Sequence, residues 1–390
     1  MWCCKDWPIA LPLLLSLVAI CDAAAQPQPS EIDYTQLLQT PEATDDEASK
    51  AFLKVMGPRE FQFPEDHGSH PDYRLEWWYI TGHLQPQPPN QQRQWGFQIT
   101  FFRIALAPPK PTKNPSLSWR SPQMFMGHFA ISDGQRQRHI QFERLSRQGA
   151  GLAGVSNAPT NVWLDNWQLA AQQDDQLFPA TLTALATDKA LGPVSIRLTL
   201  EAQKPRVLQG DRGYSRKSAT PGNASYYYSY TRLGVAGQLQ IGEQMHTVSG
   251  SAWMDREWSS SSLDSDQQGW DWFALQLEDG RDLMFYRLRY ASGQADPFSH
   301  GVLVAADGTT TRLSPELINL QPQSFWRSPT GINYPLQWHL SIPTLGLRLD
   351  IRPLFNDQEW RQRLRYWEGA VVVSGSHRGR GYLELAGYRP

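Results

Sequence analysis

The chain has 390 residues, 40% of them hydrophobic and 19% charged, with 29 Gly and 29 Pro. That length exceeds the roughly 250–300 residues that one core supports, so two globular domains are expected, and the composition excludes a disordered chain. Lys and Arg number 36 against 38 Asp and Glu, a net charge of −2 with no basic run, which argues against a nucleic-acid partner.

Residues 1–25 read as an export signal: Lys5 precedes an apolar run from Trp7 to Ile20, and Ala23, Ala24 and Ala25 supply the small residues of a cleavage site. The run falls short of the ~20 residues a membrane span requires, so no transmembrane segment is expected after cleavage. Cys3, Cys4 and Cys21 all lie in this segment, which leaves an exported mature chain without disulfide or thiol chemistry. Lipidation at Cys21 is the alternative to simple cleavage. Residues 26–59 form a polar leader with one short helical candidate, Asp45 to Met56.

From Phe61 onward the period is two. Phe97, Ile99 and Phe101 alternate with Gln98, Thr100 and Phe102. Phe273, Leu275 and Leu277 alternate with Ala274, Gln276 and Glu278. Leu336, Trp338, Leu340 and Ile342 repeat the device, as do Leu345, Leu347, Leu349 and Ile351. Such runs predict half-buried antiparallel strands, with hairpin turns at Asp133-Gly134, Asp279-Gly280 and Asp307-Gly308. The stretch from Ala107 to Pro122 reads as a loop, and Asp357 to Leu364 carries the remaining helical periodicity. WYITGHL followed by GFQITFFR parallels WFALQL followed by LMFYRLR, each second strand ending on Arg. This faint repeat predicts two similar β-domains, 60–240 and 245–390. Many strands and few helices leave a sandwich or a barrel.

Five pieces carry a family resemblance, in order from Phe61 to the end: FPEDHGSHPDYRLEWWYITGHL, WGFQITFFR, SAWMDREWSS, GWDWFALQLEDGRDLMFYRLR and YWEGAVVVSGSHRGRGYLELAGY. The chain resembles the AttH-type, carotenoid 1,2-hydratase-like secreted proteins. The resemblance implies an all-β fold of two antiparallel lipocalin-like barrels packed side by side, with few short helices, and a lipophilic ligand. Some relatives hydrate an isoprenoid C=C bond, some fungal relatives steer pericyclizations, and others are called secreted hydrolases or accompany an ABC-type exporter.

The residues themselves offer several candidate sites, helped by an unusual 16 Trp. Asp66, His67, His70, Arg74 and Glu76 fall within eleven positions. They suit a metal site, hydrogen bonds at a strand entry, or acid–base and ligand contacts. In an extended Asp255-Arg256-Glu257, the two carboxylates share one face and Arg256 takes the other. That pair suits general acid–base work, or a buried ion-pair network closing the interface between domains. Asp271, between Trp270 and Trp272, reads either as an inward proton donor or as an outward turn cap. Tyr226, Tyr228 and Tyr230 share a face that packs the domains together or lines a ligand groove. No phosphate loop or GxSxG elbow occurs, and no metal or cofactor is expected.

The expected function is an exported, envelope-facing protein that binds a lipophilic molecule of isoprenoid, fatty acyl or polyketide type. One alternative is a cofactor-independent hydratase or isomerase using Asp255, Glu257, Asp271 or Glu76. A further alternative is an envelope partner of an ABC-type exporter. Asp66, His67, Arg74, Glu76, Asp255, Arg256 and Glu257 are expected to form one polar cluster at the domain junction. A pocket beside it would be walled by Trp77, Trp78, Trp253, Trp258, Trp270 and Trp272, with Tyr79 and His70 as further ligand contacts.

Overall fold

The computed structural model describes residues 32–33, 52–89, 93–108, 121–261 and 263–390. The expected export segment with Cys21, much of the leader including Asp45 to Ala51, and most of the 107–122 loop lie outside the described residues. Where described, Phe52 to Met56 is not helical. Asp357 to Leu364 is not helical either. It contributes the short strand Glu359–Arg361, because burying Trp360 against the neighbouring strand outweighs a local period of 3.6. Helical content among the described residues is three single 3-10 turns, Glu65–His67, Pro315–Leu317 and Pro343–Leu345.

The strands form two lipocalin-like sheets, the first a nearly closed barrel and the second a half-barrel, antiparallel throughout except for Ile32–Asp33, which pairs in parallel with the second. The first runs, edge to edge, through Arg138–Arg147, Gln123–Asp133, Trp95–Ala105, Leu75–Pro86, Gln244–Ser261, Ala224–Ile241, Gly192–Ala202, Ala180–Asp188, Trp167–Ala171, Thr160–Leu164 and Ala153–Asn157. The second runs through Thr310–Leu313, His300–Val304, Asp282–Tyr290, Gln267–Leu277, Gly379–Leu385, Leu364–Gly375, Leu347–Pro353, Asn333–Ile342 and Asn319–Arg327. The three Asp-Gly pairs sit where hairpins turn. Gly280 and Gly308 both adopt φ of 88°, the left-handed region that a side chain disfavours.

The expected break at 240–245 falls in the turn of a hairpin, and both arms, Ala224–Ile241 and Gln244–Ser261, belong to the first sheet. The chain changes sheet after Ser261. No composition shift marks the place, because Gln244–Ser261 must pair with Leu75–Pro86 to continue the first sheet.

Each sheet folds its apolar face inward. Trp78, Trp95, Trp167 and Trp258 fill the first interior with Phe, Leu and Ile neighbours. Trp338 and Trp367 do so in the second. The strands that meet between the sheets are buried on both faces rather than one. Leu75–Pro86 and Trp95–Ala105 are covered throughout most of their length, whereas Gly192–Ala202, away from the meeting line, alternates buried and exposed. The seam has its own apolar contacts, among them Tyr79, Tyr227, Trp253, Trp272, Met284 and Tyr382. Polar positions that alternation places on an outer face reach across it. Gln276 donates to the carbonyls of Thr231 and Ala252 at 2.7 and 2.9 Å, and Gln98 donates to Glu368 at 2.6 Å. Asp282 binds Lys204, Thr231 and Arg232 across the same seam.

Candidate functional site

The polar cluster expected at the junction divides in two, because Gln244–Ser261 is a strand and its neighbours face opposite ways. Met254, Arg256 and Trp258 point into the first barrel. Trp253, Asp255 and Glu257 point into the seam. The two segments lie side by side as paired strands, as expected, but their polar side chains divide across one strand, with Glu76 and Arg256 on one face and Asp255 and Glu257 on the other.

The inward cluster is a lock. Glu76 is fully buried and accepts from Arg103, which lies opposite it on the adjacent strand, and from Arg256. Burial alone would raise the Glu76 carboxyl, but the two guanidiniums outweigh it and hold the group well below its ordinary range. His70 sets one ring nitrogen 3.1 Å from Glu76 and the other 3.0 Å from Asp66, and its ring stacks on Trp258 at 3.8 Å. Asp66 also pairs with Arg59. The Arg256 guanidinium lies 3.9 Å over the Trp78 ring. Of the two counter-charges expected, Arg74 or Arg256, Arg256 takes the part together with Arg103, and Arg74 makes no ion pair among the described residues. Both ring nitrogens of His70 already face carboxylates. No group of three or more His, Cys, Asp or Glu converges as a metal-holding set among the described residues. His67 is buried against Phe63 and Tyr228, and burial pushes its imidazole down to about 3. These residues therefore close the barrel end rather than meet a ligand at the seam.

Asp271 is the matching lock of the second sheet. It faces inward, yet it is not poised as a proton donor, because Arg287 at 2.6 Å, Arg289 at 3.1 Å and the Tyr388 hydroxyl at 2.8 Å occupy its oxygens. Glu76 is in register with Arg103 and Asp271 with Arg287, so each sheet carries a carboxylate–arginine pair, and Arg289, which ends the second repeat, adds to Asp271 at 3.1 Å. The Tyr226, Tyr228 and Tyr230 face likewise fills the first barrel instead of joining the domains. Tyr227 between them reaches the seam.

The seam cleft is the candidate site. It is a cavity of about 80 Å³ walled by Trp77 and Tyr79 from the first sheet and by Trp270, Trp272, Tyr286 and Leu288 from the second, with Tyr227 and Leu263 completing it. Trp253 lies just behind it, donating its indole N–H to Asp255 at 2.6 Å. Asp255 also accepts from the Ser229 and Tyr227 hydroxyls, each at 2.5 Å, and the Trp272 N–H donates to Tyr227 at 3.3 Å. Burial outweighs these donors and raises the Asp255 carboxyl to about 7. Glu257 accepts from Ser225 and pairs with Lys217 at 2.9 Å. Burial works against the Lys217 ammonium, but Glu257 keeps it raised.

Sequence reasoning missed Lys217, Tyr227, Glu368 and Glu384. Glu384 lies opposite Trp272 on one side and Glu368 on the other, and accepts the Trp270 N–H at 3.1 Å. Burial, with each other's charge or that of Asp255 nearby, raises both glutamates above the ordinary range. The hairpin around residues 374–381, legible in the sequence, puts positions 368 and 384 on facing strands and was the signal that could have found them.

A larger basin of about 1000 Å³ opens at the end of the first barrel, over Phe63, His67, Phe178 and Tyr230. Its rim of Arg206 and Arg212 is exposed. The seam cleft is smaller but lined by rings from both sheets, and the perturbed acids Asp255 and Glu384 converge in it. That combination marks functional sites, and it outweighs size.

The AttH-like family matches residues 54–388 of the chain. A protein of Nitrosomonas europaea assigned as AttH, known from its crystal structure, is 34% identical over 87% of this chain and 100% of that one, with a TM-score of 0.76. Kievitone hydratase of Nectria haematococca shares the fold at 14% identity, with a TM-score of 0.62 over 86% of this chain and 98% of that one. Among functionally curated proteins none matches.

Proposed function

We propose that this chain, which belongs to the AttH-like family, binds a compact lipophilic molecule in the seam between its sheets. The observation that carries this reading is the ring of Trp77, Tyr79, Trp270, Trp272 and Tyr286 around a real cavity, while both sheet interiors are filled by their own side chains. The apolar run of residues 1–25 supports an exported protein, and fractionation of the native host would test that location. Leu263→Trp should fill the cleft and abolish binding of an apolar probe measured by calorimetry. Arg206→Ala, at the rim of the barrel-end basin, should leave it intact. The opposite pattern would move the site to the basin and overturn the proposal.

A second reading, hydration or isomerisation of a C=C bond, is favoured by the raised acids in the same cleft. A protonated Asp255 or Glu384 gives its proton to one alkene carbon, and the aromatic walls steady the cation left on the other. Water adds to that carbon and returns a proton to the carboxylate, so the balance is addition of one water. Glu384 is the less saturated acid, holding one hydrogen bond from Trp270 where Asp255 holds three. Glu384→Gln should then abolish turnover of a bound alkene, and unchanged turnover would refute this role.

A further inference from the structure

We infer that the seam cleft selects a lipophilic cation, a quaternary or protonated amine on an apolar body, over a neutral or anionic molecule of the same shape. This rests on the cleft being the ligand site. Three observations lead to it. Aromatic rings from both sheets line the cavity, and a ring's quadrupole attracts a cation more strongly where water is partly excluded. The protein already holds one cation this way: the Lys217 ammonium lies 4.4 Å from the Tyr286 ring centre and 5.3 Å from that of Tyr227.

The third observation is the charge count. Lys217 is matched by Glu257, but Asp255, Glu368 and Glu384 enter no ion pair among the described residues. Their environments contain burial and other acids and no counter-cation. A buried acid excess wants a positive partner. A carboxylate ligand would meet the opposite situation, which disfavours the fatty acyl anion from the sequence-based expectation. At the roughly 30 Å³ a water takes up in the liquid, the cavity of about 80 Å³ holds about three water-sized groups, so a trimethylammonium head would enter with its apolar tail directed outward.

Two isosteres separate charge from shape: benzyltrimethylammonium and neopentylbenzene, which exchange nitrogen for carbon. Calorimetry on the full chain should show the cation bound at least tenfold more tightly. Its affinity should rise from pH 6 to 9, because the probe cannot titrate and Asp255, near 7, and Glu384, near 8, ionise against it. The other groups facing them are Lys217, Glu257, His300 and the tyrosines 79, 227, 286 and 382. His300 is held near 3 by burial and the tyrosines are raised, so neither changes charge across that window. Glu384→Gln should lower the ratio of the two affinities by at least threefold. Equal binding of the isosteres, or a ratio that Glu384→Gln leaves unchanged, overturns the inference while the cleft remains the site. Failure of both probes to bind overturns the inference together with the proposed function.

Discussion

Replacing Glu76 by Gln should cost about 3–5 kcal/mol at neutral pH, the range for removing one partner of a buried ion pair. The structure argues for the full range rather than the smaller cost of a surface pair. Glu76 is wholly buried, Arg103 and Arg256 are equally enclosed, and no other carboxylate pairs with either guanidinium among the described residues. Equilibrium urea unfolding followed by tryptophan fluorescence would measure it. Pairing with Arg103→Gln and the double variant gives a coupling of about 1–3 kcal/mol if the lock acts as a unit. The pH dependence has a definite sign. The folded Glu76 carboxyl lies below its ordinary 4.5, so its contribution is complete above that value and is lost as pH falls through the folded value. The stability difference between wild type and Glu76→Gln should therefore shrink in acid. A cost below about 1 kcal/mol, additive single variants, or a gap that widens in acid would refute the lock.

Asp271→Asn should destabilise by a similar amount, about 3–5 kcal/mol, by leaving Arg287 and Arg289 unpaired. It should leave affinity for a cleft probe at wild-type level, and a lost affinity in folded protein would return Asp271 to the site. Asp255 has the opposite linkage: its folded carboxyl is near 7 against 3.8, so stability from this group falls as pH rises between about 4 and 7. Asp255→Asn should flatten that slope, by on the order of a few kcal/mol across the window, in unfolding curves collected at stepped pH. Gly96→Ala would put a methyl 2.6 Å from the Ala370 Cβ and 2.8 Å from the Tyr382 hydroxyl, across the seam. A cost of about 1–3 kcal/mol by urea unfolding is expected, and a neutral result would contradict the close approach of the sheets.

The fold was largely legible because period-two runs and Asp-Gly turns act locally. Phe97, Ile99 and Phe101 did mark an inner face, and Asp255 and Glu257 did share the outer one. The seam was not legible. Gln98, Gln276, Glu368 and Glu384 look like residues facing water, and only the packing of one sheet on the other buries them. Arg103 was visible as the residue ending a repeated strand, but its partner depends on register, which the sequence shows only once the hairpin is drawn. The 240–245 boundary failed for a related reason. A hairpin turn and a domain linker share the same local chemistry, and long-range pairing decides between them.

The pairing of Leu75–Pro86 with Gln244–Ser261 bears on how the molecule comes into being. During synthesis, one edge of Leu75–Pro86 waits open until residues some 170 positions later have been made. The second sheet waits similarly, since Gln267–Leu277 needs Gly379–Leu385, about 100 residues further on, and Tyr388 then reaches Asp271. A nascent chain that holds Gln267–Leu277 but not yet Gly379–Leu385 would carry an unpaired strand edge, the kind that recruits other chains. Arrival of Gly379–Leu385 and burial of the edge beside it are thus one coupled event.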